Sequence, residues 1–196
     1  MSVAMDESRA RRMKAASAAV HDRVDRTITA ARPFDSREAY GRFLDFQLRL
    51  HRRVAPLYAA AGLNGLLPDL EARARLAAVA ADFADLGRPV PPPPGAGPDL
   101  PLPEALGWLY VVEGSNMGAA LLSREARRLD LSDDFGARHL AGHPDGRARH
   151  WRAFTAALDA VPLSAAEEER AQAAVIAAFA YVLDLVDETM GQAARP

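Results

Sequence analysis

The chain has no cysteine, which removes disulfides, protein-held iron–sulfur clusters and thiolate ligands together, so any metal must be bound through nitrogen or oxygen. It lacks an excess of either charge. The 24 basic and 26 acidic side chains leave a net charge of −2, and nothing in that balance selects nucleic acid as a partner. No run approaches the roughly 20 apolar residues of a membrane span. The apolar stretch at residues 15–20 is too short for the core of a signal peptide, so the expectation is a cytoplasmic protein with no membrane partner. Glycine-rich phosphate loops, nucleophile elbows and HExxH zinc motifs are also missing, which leaves phosphoryl transfer and hydrolysis without support.

What the chain does have is alanine and leucine at helical spacing almost throughout, with few β-branched runs, and this predicts an all-α fold. At 196 residues and 49% hydrophobic content it can bury one substantial core, so residues 1–196 are expected to form a single domain. Asp35 or Ser36 caps a second helix that should stop at Gly62, and residues 68–86 should form a third that ends at Gly87. Eight prolines between residues 88 and 103 predict an irregular, largely polyproline connection. Helical spacing resumes over residues 102–129, a glycine-rich loop covers 136–146, and a helix spans 147–160. Ser164 and Glu167 form a capping box for a last helix that ends near Gly191.

Two segments carry chemistry. In the first, His21 is followed four residues later by Asp25, a spacing that puts both side chains on one helix face. The acid can take a hydrogen bond from one ring nitrogen and leave the other for a metal; a packed or solvated histidine is the alternative. In the second, Gly114 and Gly118 interrupt an otherwise apolar helix, although each glycine there costs about 1 kcal/mol relative to alanine. They strip one face of side chains, so either a flat ligand or another helix can approach the backbone. Of the other histidines, His51 lies near the face of Leu44 and Leu48 and is a rival to His21 as a metal ligand, but Ala55 and not an acid stands at i+4, so a structural role is expected. His139, His143 and His150 fit no zinc spacing and are expected to make local hydrogen bonds. Arg9, Arg11 and Arg12 are expected on a solvated face.

Together, the segment running from Met13-Lys14 to His21 and the segment Gly114-Ser115-Asn116-Met117-Gly118 resemble the proximal and distal helices of the heme oxygenase family, in its bacterial biliverdin-forming branch. The resemblance implies a multihelical domain in which His21 binds iron, Asp25 supports it, and Lys14 and Arg152 meet the heme propionates. It places the distal backbone of Gly114 and Gly118 over the heme face, with Ser115 or Asn116 holding ordered water. The best-known members have an aspartate after the first distal glycine; Ser115 stands there in this chain. The implied reaction is oxidative opening of heme, which is both substrate and cofactor, to biliverdin, carbon monoxide and ferrous iron. It uses O2 and electrons from a ferredoxin- or reductase-type partner, with a bacteriophytochrome as a possible receiver of biliverdin. A heme carrier or sensor without turnover is the alternative function.

Overall fold

In the computed structural model, residues 8–93 and 99–191 are described. They form seven α-helices: α1 (Arg9–Ala30), α2 (Arg37–Ala59), α3 (Ala61–Leu66), α4 (Leu76–Asp85), α5 (Leu102–Arg127), α6 (Arg147–Ala160) and α7 (Ala165–Met190), with short 3-10 turns at Glu71–Arg73 and Arg138–Leu140. Among the described residues no strand forms; the nearest approach is an isolated bridge between Ser132 and Phe135.

Helix starts follow the side chains that can take the free backbone N–H groups of a first turn. The Ser8 hydroxyl accepts from the Arg11 N–H at α1 and that of Ser36 from the Ala39 N–H at α2, while Ser164 and Glu167 close a reciprocal capping box at α7. At α5, Pro103 in the first turn and Glu104 suit the positive end of the helix, and Arg124 and Arg127 suit its last turn.

Two expected helices are shorter than the spacing predicts. The second ends at Ala59 because Ala60 turns extended (ψ 115°), and the chain then re-enters a short helix through Gly62 to Leu66. The third does not begin at Pro68: the left-handed Asp69 (φ 61°) and the extended Ala74 break up its start, and α4 proper begins only at Leu76. In the proline-rich connection, residues 94–98 lie outside the described residues. Pro91 and Pro92 before them offer their carbonyls to the Arg52 guanidinium at 2.5 and 3.2 Å.

The long helices α5 and α7 pack against each other, α1 lies on α7, α6 packs on α5, and α2 joins α7 to α4. The α5–α7 crossing is set by a glycine that periodicity alone does not mark. A Cβ on Gly107 would lie 2.5 Å from the Ala171 carbonyl and 2.8 Å from the Ala174 Cβ, so the helices can meet this closely only if that position has no side chain. Helix α1 is clamped at its N-terminal end. Arg9, expected in solvent, is instead buried: it pairs with Glu168 at 2.8 Å and donates to the Leu158 and Val161 carbonyls. Arg12 joins Glu168 at 2.9 Å, and Asp159 accepts the Ala10 N–H at 2.9 Å. An arginine buries only when such acceptors converge on it, and here they come from α6, α7 and the turn between them, far away in sequence. Met13 completes the anchor as a fully buried side chain.

Candidate functional site

With α1 fixed at one end, its later turns form one wall of a large cavity of about 1060 Å3, and the middle of α5 forms another. The lining is mostly apolar, with Phe43, Phe46 and Leu50 from α2 and Phe179 and Val182 from α7. Met117 and Leu121, which also line it, remain 40% and 62% exposed. Large apolar side chains left open at a concave site mark a surface that a ligand covers.

His21 lines this cavity from α1, its ring edge-on to Phe179 with centroids 5.4 Å apart. Its Nδ1 is 3.4 Å from the Asp25 carboxylate, as the i, i+4 spacing predicts, and both side chains stay about half exposed. That is longer than a good N–H···O bond of about 2.9 Å. The pair still distinguishes the two ring nitrogens, with Nδ1 turned to the acid and Nε2 left over.

On α5, Gly114, Ser115, Asn116 and Gly118 all line the same cavity. A methyl group on Gly118 would meet no neighbouring atom within 4 Å, and one on Gly114 would just touch the Trp151 ring at 3.5 Å. Gly118 is therefore not used for helix packing and Gly114 only borders the Trp151 ring of α6, whereas Gly107 packs two helices together. The Ser115 hydroxyl is engaged by its own helix, donating to the Val112 carbonyl at 2.7 Å. The Asn116 side-chain amide has no hydrogen bond among the described residues, while its backbone carbonyl is held by Arg147 at 2.9 Å. Lys14, which is the only lysine in the chain, and Arg152 stand exposed where α1 and α6 border the cavity, and among the described residues neither has an ion-pair partner.

The cavity also contains two histidines whose sequence spacing predicts structural roles. His51 is buried in the core, as its spacing predicts, but it lines the cavity as well. Burial, helped by His139 and Arg75, lowers its pKa to about 3, so it is neutral. His139 is buried too. Its Nδ1 lies 2.6 Å from the carboxylate of Asp82, which also accepts the backbone N–H groups of Arg138 and His139, and its Nε2 is buried with no partner among the described residues. The three later histidines form no metal-binding group among the described residues: His143 and His150 stack on each other with centroids 4.1 Å apart, while His139 pairs with Asp82. The signal for Asp82 was an acid in phase with Val79 and Phe83 on the buried face of α4. Its partner, 57 residues away, has no sequence signature.

Behind α5, Glu113 is buried beside the first glycine, accepting from the Tyr58 hydroxyl at 2.7 Å and from Arg73 at 3.1 Å. Burial raises its pKa against the pull of both partners. Arg73 continues to the Nδ1 and carbonyl of His150 at 3.3 and 3.2 Å, which ties the glycine segment of α5 to the start of α6.

The sequence profile of the heme oxygenase family matches residues 7–188 of this chain. The chain belongs to the heme oxygenase family. It is 43% identical over 171 residues to the heme oxygenase PigA of Pseudomonas aeruginosa, covering 86% of each chain. It superposes on the NO- and CO-bound heme oxygenase of Neisseria meningitidis with a TM-score of 0.90 at 43% identity, covering 96% of this chain and 95% of that one. The cavity suits the family's substrate. A heme needs a nitrogen donor, a flat backbone face, apolar walls and cations for two carboxylates, and His21, the unfilled space at Gly118, the phenylalanines and the unpaired Lys14 and Arg152 offer each of these. Among the described residues no helix is long and apolar enough to cross a membrane.

Proposed function

We propose that this heme oxygenase binds heme between α1 and α5 with His21 as the iron ligand and opens the macrocycle to biliverdin, carbon monoxide and ferrous iron. The observation that carries the site assignment is that one cavity holds both the His21–Asp25 pair and the glycine face of α5, where Gly118 opens on free space and not on a helix contact. Bound heme supplies the iron at which O2 is reduced and the ring that is opened. The protein's part is to place, dehydrate and protonate. His21 Nε2 fixes the ring against α1, with Asp25 holding the tautomer. Gly114 and Gly118 let the backbone of α5 approach the other face and leave room for a small ligand near the ring edge. Lys14 and Arg152 take the propionates and so set the in-plane rotation, which selects the carbon that is attacked.

Proton delivery falls to polar groups on the cavity wall. Of the two residues expected to hold water, Asn116 has its amide free to do so, whereas the Ser115 hydroxyl is committed to Val112. With Asp82 holding Nδ1, His139 Nε2 can take a proton from such a water or return one, and neutral His51 offers a second relay position. The family resemblance implies that the electrons come from outside, with a ferredoxin- or reductase-type protein as the donor. A cytoplasmic setting, one domain over residues 1–196 and biliverdin transfer to a bacteriophytochrome belong to the same proposal. The ligand assignment is tested by substitution. His21→Ala should lose turnover and regain part of it with added imidazole, while His51→Ala should keep the iron ligand's spectrum; loss of that spectrum in His51→Ala with an unchanged His21→Ala would reject the assignment.

A further inference from the structure

Helices α1 and α7 pack against each other and run in the same direction. Near the start of each, Arg9 and Arg12 hold Glu168, and roughly three turns further on the His21 ring of α1 meets the Phe179 ring of α7. The arginine clamp sets the register that brings these two side chains together, and neither helix alone predicts the meeting. The rings stand almost perpendicular, at 87° with centroids 5.4 Å apart, an arrangement that aromatic pairs favour.

An imidazole presents Nε2 in a given direction at only one rotation about its Cβ–Cγ bond, and that torsion is broad unless contacts narrow it. Two contacts act on His21. The Asp25 carboxylate lies 3.4 Å from Nδ1, and the two side chains are 54% and 65% exposed; so long and solvated a contact restrains the ring little. Phe179 differs on both counts. It is 7% exposed and shares the helical spacing of Val175, Val182 and Val186, all buried, on a helix packed against α1, α2 and α5. Its ring cannot swing aside as the Asp25 carboxylate can. We propose that Phe179 is the positioning residue for His21: it fixes the plane of the imidazole, while Asp25 selects the nitrogen that carries the proton. The proposal rests on His21 being the iron ligand. Its consequence is that the chain sets two rotations separately, that of the imidazole through Phe179 and that of the macrocycle through Lys14 and Arg152, and so sets the angle between them.

Phe179 also lines the cavity, so the test must separate a ring that orients His21 from one that only walls the site. In the heme-free protein, proton NMR should show cross-relaxation between the His21 and Phe179 rings. In the ferric cyanide complex of the heme-loaded chain, the heme methyl shifts report the plane of the axial imidazole. Phe179→Leu, checked for unchanged helical content, should reorder those shifts while heme affinity stays within a few-fold and the biliverdin isomer ratio is unchanged; Phe179→Tyr should keep the wild-type order. Unaltered shifts in a folded Phe179→Leu would overturn the proposal. So would altered shifts with an altered isomer ratio, because the macrocycle itself would then have turned. Should Phe179→Leu not fold, the heme-free wild type decides: ring-to-ring cross-relaxation supports the assignment and its absence refutes it. Failure of the underlying reading looks different, since His21→Ala would then keep the wild-type methyl shifts.

Discussion

Lys14 is the residue whose role can be isolated most cleanly, because no other lysine competes with it for chemistry. Charge-assisted contacts to carboxylates are worth roughly 1.5–3 kcal/mol when partly buried, so Lys14→Ala or Arg152→Ala should weaken heme binding only modestly. The larger expected effect is on rotation: each substitution should change the ratio of biliverdin isomers in a chromatographic assay. An unchanged ratio in both single variants and in the double variant would remove them as the orienting pair. His51 and His139 are separable as well. His139→Ala removes the Nε2 held in place by Asp82, and with proton supply impaired it should slow turnover well below wild type while heme affinity stays within a few-fold; equal loss of both would make His139 a packing residue only. The His21–Asp25 pair and the two glycines were legible because their partners lie within four residues along one helix. Asp82–His139 and Arg9–Glu168 were not, because they join elements 57 and 159 residues apart and depend on how helices cross.

At the scale of the helix, α5 uses its glycines for two different purposes. Gly107 meets α7 at a distance that forbids a Cβ, whereas Gly118 faces open space. Gly107→Ala should therefore lower thermal stability despite its better helix propensity, and Gly118→Leu should leave stability unchanged or raise it by up to about 1 kcal/mol while blocking turnover. Melting curves and a turnover assay on both variants check this; a fully active Gly118→Leu would show that the face is not used by ligand. Helix α5 also depends on the buried Arg73–Glu113 pair, with both side chains no more than 3% exposed. Removing one partner of such a pair strands a charge, and Arg73→Ala should cost about 3–5 kcal/mol in denaturant unfolding. Element existence and type followed from spacing and caps almost everywhere. The misjudged boundaries were those set by single backbone conformations, at Ala60 and Asp69, which periodicity does not register.

For the whole molecule, neutral His51 makes stability depend on pH. Its folded pKa of about 3 lies below the ordinary 6.5, so the unfolded chain binds a proton that the folded chain refuses between those values, and stability falls as pH drops through that window. His150, lowered to about 4, acts in the same sense, and Glu113, raised above its ordinary 4.5 by burial, acts in the opposite one over a window that begins at 4.5 and extends upward. Denaturation of the heme-free protein at pH 7 and pH 5 should show a clear loss at the lower pH, and a smaller loss in His51→Gln. The central claim is that one cavity both binds heme and consumes it. The most direct measurement is an anaerobic heme titration followed by admission of O2 with a reductant. One heme per chain, then decay of the Soret band with matching growth of a biliverdin spectrum, is the expected result; a stoichiometric heme complex whose Soret band persists under O2 and reductant would contradict it.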